Sequence, residues 1–142
     1  MDVQIPFILL IEDSEPDAEL AIEALAASGM ANPVRHIADG DGALRFLQKA
    51  AADELPFLIV LDLNLGVLDG FDVLRTIRSM RKLAHLPVVV LTGSDDQCDR
   101  EAARELGAIS FMTKPLSGLK LFECVRSLGQ PWGVLGRDPR AA

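Results

Sequence analysis

Four short apolar runs in this sequence are each followed at once by side chains that can do chemistry. Glu12 and Asp13 follow Phe7 to Ile11, and Asp62 and Asn64 follow Phe57 to Leu61. Thr92 and Gly93 follow Val88 to Leu91, and Thr113, Lys114 and Pro115 follow Ile109 to Met112. Three carboxylates gathered at one place repel one another and are stable together only around a cation. Hard oxygen donors of this kind favour Mg²⁺ or Mn²⁺ over Zn²⁺. With a cation present, Asp62 is an oxygen nucleophile toward phosphorus, and Lys114 and the Thr92 hydroxyl can contact the phosphoryl oxygens. Together these groups are what accepting a phosphoryl group requires. Singly, each has an ordinary reading. Glu12 and Asp13 complement the positive end of a helix, with Asp13 or Ser14 as its cap, Asp62 starts a turn, Thr92 caps a loop and Lys114 is solvated. It is their joint position at the ends of successive elements that points to chemistry.

What must bring them together is a parallel sheet. The four runs and a fifth, Val34 to Ala38, are rich in β-branched residues, lack polar/apolar alternation and are separated by helical stretches. That is the pattern of βαβ units whose strands are covered on both faces, and ligands of such sheets bind outside the carboxyl ends of the strands. Ala18, Ala21, Ile22 and Leu25 predict one amphipathic helix, and Ala43, Phe46, Leu47 and Ala50 a second. A third should run from about Phe71 to Arg81 with Val73, Ile77 and Met80 on one face, and a fifth near Ser117 to Leu128 with Leu121, Val125 and Leu128. The fourth, between Ser94 and Leu106, has only small apolar residues, chiefly Cys98, Ala102 and Ala103, so it should bury little and be free to move.

The 142 residues suit one domain, and 49% hydrophobic with 25% charged residues suits a packed core. A formal charge of −7 opposes a surface built for nucleic-acid phosphates or anionic lipid. No apolar run approaches the roughly 18 residues of a membrane span. Only Met1 to Pro6 precede the first run, without a positive charge or cleavage site, so a cytoplasmic protein is expected. Cys98 and Cys124 have no ligand-spaced partner and are expected to be packed, reduced thiols. His36, inside a strand run, and His85, just before one, offer no second site for a phosphoryl group.

With Glu12-Asp13, Asp62 in the stretch Asp62-Leu63-Asn64-Leu65-Gly66, Leu91-Thr92-Gly93 and Lys114-Pro115, the chain resembles the receiver domain of two-component response regulators over roughly Pro6 to Leu128. The resemblance implies a flavodoxin-like α/β fold: a doubly wound five-stranded parallel sheet of order 2-1-3-4-5 with five helices. It implies Asp62 as phosphoacceptor for the phosphohistidine of a sensor histidine kinase. It also implies a Mg²⁺ site, with Mn²⁺ as a substitute, made by Asp13, Asp62 and the Asn64 backbone carbonyl, with Glu12 acting through water. Lys114 would pair with the phosphoryl group, and Thr92 and Phe111 would form a switch pair. Gly66 stands where the family usually has Pro, which should loosen the loop after Asp62. Phe111 in place of Tyr removes a hydroxyl. The longer loop around Ala50 to Pro56 and the tail resemble the stand-alone receivers that partner bacterial phytochrome kinases.

Three other readings compete. Flavodoxin-like flavin binding needs a Ser/Thr/Gly-rich phosphate loop, but Glu12 to Asp17 would repel a phosphate and the chain has no Tyr. A haloacid-dehalogenase-like phosphatase needs an acid two residues after its nucleophile, and here Asn64 cannot protonate a leaving group. A receiver reduced to an interaction module would lack a phosphorylation residue, and none is missing. The chain is therefore expected to be a phosphoacceptor rather than a turnover enzyme. Residues 1–128 read as the receiver, with output through another protein or a phosphotransfer relay. Residues 129–142 read as a tail in which Trp132, beside Pro131 and near Val134 and Leu135, either packs back onto the fifth helix or, the reading preferred, forms a dimerisation arm of an exchanged-arm homodimer.

Overall fold

The computed structural model describes residues 6–30, 32–66 and 68–127. Trp132, the tail and the homodimer expected from them lie outside these residues. Strands and helices alternate: β1 (Ile8–Ile11), α1 (Glu15–Ala27), β2 (Val34–Ile37), α2 (Gly40–Lys49), β3 (Leu58–Asp62), α3 (Gly70–Ser79), β4 (Val88–Thr92), α4 (Gln97–Glu105), β5 (Ser110–Thr113) and α5 (Gly118–Ser127). A short 3₁₀ turn, Ala52–Glu54, lies in the long loop before β3. The five strands form one parallel sheet in the order β2-β1-β3-β4-β5, the doubly wound topology that the resemblance implied.

Side-chain alternation divides the core in two. Leu9, Ile11, Ile59, Leu61, Val88 and Val90 meet α2, α3 and Ala103 of α4 on one face. Ile8, Leu10, Leu58, Val60, Val89 and Leu91 meet Ala18, Ala21 and Leu25 of α1 and Leu121 and Val125 of α5 on the other. β1, β3 and β4 are buried along their whole length. The two edge strands correct the expectation that all five would be covered on both faces. β2 has Arg35 exposed and its other residues half-buried, and β5 buries only Met112, because each has a neighbour on one side only.

Side-chain caps set the helix starts. Ser14, Asp39, Asp69 and Asp96 each accept a backbone N–H of the first turn. α1 does not seat its whole expected stripe: Ala18, Ala21 and Leu25 are buried, while Ile22 and Leu20 face solvent at 36% and 56% exposure. Cys98, expected to be packed, is exposed at the start of α4, and Cys124 is half-buried, with burial raising its thiol pKa. α4 buries Ala103 alone. Its carboxyl end is tied to α3 by Arg78, whose guanidinium donates to the carbonyls of Leu106 and Gly107 there and to those of Ala84 and Leu86 before β4.

Candidate functional site

The carboxyl ends of the strands collect the expected residues. Asp62, Thr92 and Thr113 are the last residues of β3, β4 and β5 rather than the first of the loops beyond. Strand pairing extends one residue past each apolar run and fixes these backbones. Glu12 has its N–H bonded to Ile37 O and its carbonyl 2.6 Å from His36 Nε2. A carbonyl can only accept, so Nε2 carries the hydrogen. The chain turns away after β2 so that Asp39 can cap α2, and the imidazole supplies the donor that the ladder would otherwise supply. The β3–α3 loop is held tightly by Gly70, whose N–H donates to Leu63 O at 3.0 Å. A Cβ at Gly70 would come within 2.5 Å of Asp62 O and Leu63 Cα. In the same loop Gly66 has φ of +71°, a value that a proline ring excludes. The absence of the family's usual Pro thus allows a different turn, beyond any loosening.

Carboxylate oxygens of Glu12, Asp13 and Asp62 lie within 4.8 Å of one another. Glu12 and Asp62 are buried and Asp13 is exposed. Lys114 Nζ stands 3.2 Å from Asp62 Oδ2, 2.9 Å from Glu12 Oε2 and 2.7 Å from Asp17 Oδ2. Asn64 N–H donates to Asp62 Oδ1 at 3.1 Å, and Ser14 N–H donates to Glu12 Oε1 at 3.1 Å. Glu12 Oε2 is buried without a hydrogen-bond partner. Its approach to Lys114 is an ion-pair contact out of line for a hydrogen bond.

The charges respond to this crowding. Burial pushes the Glu12 carboxyl up to about 7, with the Asp62 charge adding to the rise and Lys114 opposing it. Burial by itself would lower the Lys114 pKa. Its hydrogen bond to Asp17, its close contact with Glu12 and the charges of Asp62 and Glu12 outweigh burial and hold the ammonium above its ordinary range. An orphaned oxygen and a half-neutralised carboxylate beside an exposed one form an oxygen-donor set that suits a hard divalent cation.

The expected switch pair is arranged differently. By strand alternation Thr92 falls on the face of Val88 and Val90, opposite to that of Leu58 and Val60, which Asp62 shares. Its Oγ1 accepts the Ser94 N–H at 3.3 Å. Phe111 pairs with Val90 and so shares the face of Thr92. It is half-buried, with the Arg100 guanidinium 4.7 Å from its ring centroid. The structure therefore brings Glu12, Asp13, Asp62 and Lys114 together, with Asn64 at the rim, and sets Thr92 and Phe111 beside them on the other face. Sequence reading missed Asp17 and His36. The only signal for Asp17 was its place in the first turn of α1, four residues after Asp13.

Such a sheet, with an acidic cluster and a lysine at its carboxyl edge, defines a class, and the model of the response regulator receiver domain matches residues 8–126. The chain belongs to that family, whose members are phosphoacceptor signalling domains of two-component systems. Response regulator Rcp1 of Synechocystis sp. strain PCC 6803 is 38% identical over 128 residues, which are 88% of this chain and 87% of that protein. The structure of the bacteriophytochrome response regulator AtBRR is similar with a TM-score of 0.79 and 35% identity, covering 92% of this chain and 96% of that one. The Mn²⁺-bound form of Rcp1 is similar with a TM-score of 0.69, covering 87% of this chain and 91% of that one.

Proposed function

We propose that this protein is a single-domain response regulator that takes a phosphoryl group from the phosphohistidine of a sensor histidine kinase onto Asp62. The observation that carries this reading is the convergence of three carboxylates within 4.8 Å, with Lys114 Nζ 3.2 Å from the most buried strand-end aspartate. Asp13, Asp62 and the Asn64 carbonyl would hold Mg²⁺ or Mn²⁺, with Glu12 acting through a water molecule. Bound there, the cation neutralises charge on the carboxylates and on the incoming phosphoryl oxygens. One Asp62 oxygen attacks phosphorus, the P–N bond to the donor imidazole breaks, and its electron pair stays on nitrogen. The Asn64 N–H and Gly70 keep the Asp62 carboxylate and its backbone in place, and Lys114 supplies positive charge beside the acceptor. The Thr92 hydroxyl, engaged by Ser94 before phosphorylation, would turn to the new phosphoryl group, and Phe111 would follow it on the shared face.

The likeness to the bacteriophytochrome response regulator AtBRR supports a phytochrome-type kinase as donor. The apolar cluster around Trp132 supports a homodimer joined through the tail. Incubation with acetyl phosphate and Mg²⁺ should raise the intact mass by one phosphoryl group, and Asp62→Asn or chelation should abolish the rise with the fold unchanged. Phosphate gain by Asp62→Asn at the wild-type rate would refute the assignment.

A further inference from the structure

Resting on the acceptor reading of Asp62, the geometry points to Asp17 as a latch for Lys114: a positioning residue that holds the ammonium before phosphorylation and must release it afterwards. A lysine ammonium has three hydrogens, and three carboxylates stand within 3.2 Å of this one. Phosphorylation turns the Asp62 carboxylate into a neutral acyl oxygen and moves the negative charge out to the phosphoryl oxygens, so the ammonium, which donates to Asp17 and Asp62, is drawn toward the new charge and away from one of the two carboxylates that remain. The Glu12 side chain is 2% exposed, and leaving it without a counter-charge is costly. The Asp17 side chain is 40% exposed and lies in the first turn of α1, where water and the helix terminus can receive it. It also makes the shortest of the three contacts. The Asp17 contact is thus present in the unphosphorylated state and lost in the phosphorylated one. Only such a differential contact shifts an equilibrium, and this one acts against the phosphorylated form.

The experiment titrates full-length protein with beryllofluoride, an acyl-phosphate mimic, at saturating Mg²⁺, with ¹⁹F resonance as the readout. Asp17→Asn should bind the mimic about two- to fivefold more tightly than wild type, the range of a part-exposed ion pair. Asp17→Glu should restore wild-type affinity. Glu15→Gln removes a charge from the same helical turn without touching the contact and should leave affinity unchanged. Binding by Asp17→Asn no tighter than wild type, or equal tightening by Glu15→Gln, would overturn the latch while leaving the acceptor reading intact. A wild type that neither binds the mimic nor gains phosphate would instead overturn the acceptor reading, and the latch with it.

Discussion

α3 and α4 invite comparison, because they follow the two central strands, lie on the same face of the sheet and have nearly the same length. Each is capped by an aspartate, Asp69 and Asp96. They differ in what they bury. α3 seats Gly70, Val73, Leu74 and Ile77, whereas α4 seats Ala103 alone and is otherwise held by the Arg78 tether, by Arg100 over the Phe111 ring and by a surface ion pair between Arg100 and Asp95. Full burial of each large aliphatic side chain contributes about 1.5–3 kcal/mol, so α3 cannot shift without opening the core and α4 can. The fixed helix follows Asp62, and the loosely held one follows Thr92. In the function proposed, chemistry that needs a rigid carboxylate and a response that needs a movable element fall to neighbouring βα units.

The largest expected effect comes from emptying the fixed side. Ile77→Ala should cost about 2–5 kcal/mol in urea unfolding, and a loss below about 1 kcal/mol would break the contrast. Next, Arg78→Met removes the donor to four carbonyls and should cost about 1–3 kcal/mol. It should also raise amide exchange at Leu106 and Gly107 more than in α3, and uniform exchange across both helices would count against the tether.

A third test asks whether titration stays within the acidic cluster. With Glu12 raised to about 7, a proton competes with a divalent cation below that pH. Mn²⁺ affinity should therefore weaken by up to about tenfold per unit as pH falls below this point, with α4 unaffected. The sign for stability is opposite. Between 4.5 and about 7 the folded chain binds this proton more tightly than the unfolded one, so without cation stability falls as pH rises through that window. A Mn²⁺ affinity that is flat across neutral pH would remove Glu12 from the site. The smallest effect belongs to α4: Ala103→Gly should cost roughly 0.5–1 kcal/mol, and a cost matching that of Ile77→Ala would show α4 to be as firmly seated as α3.

The sequence made the three central strands and the acidic cluster legible because both follow from local rules: continuous apolar runs and polar residues at their ends. Strand order came from the family's motifs, since no local pattern encodes which runs are neighbours. Edge exposure was hidden for the same reason, as burial of β2 and β5 depends on position in the sheet rather than on Arg35 or Phe111 themselves. Asp17 read as an ordinary acidic residue of a first helical turn, and its partner Lys114 lies 97 positions away. Cys98 looked like part of an apolar stripe, but Ala103 is the one residue that the helix carrying it buries.

The Arg78 tether also has a mechanical meaning. It grips α4 at the end remote from Thr92, and a nine-residue helix is about 13 Å long. A helix held at one end acts as a lever whose fulcrum is Leu106 and Gly107. A rotation of about 10° about that fulcrum carries Gln97 through about 2 Å, while the residues near Arg78 scarcely move. A rearrangement beside Thr92 therefore acts at the free end of this lever, tilting α4 about its tether and displacing its amino-terminal turn most.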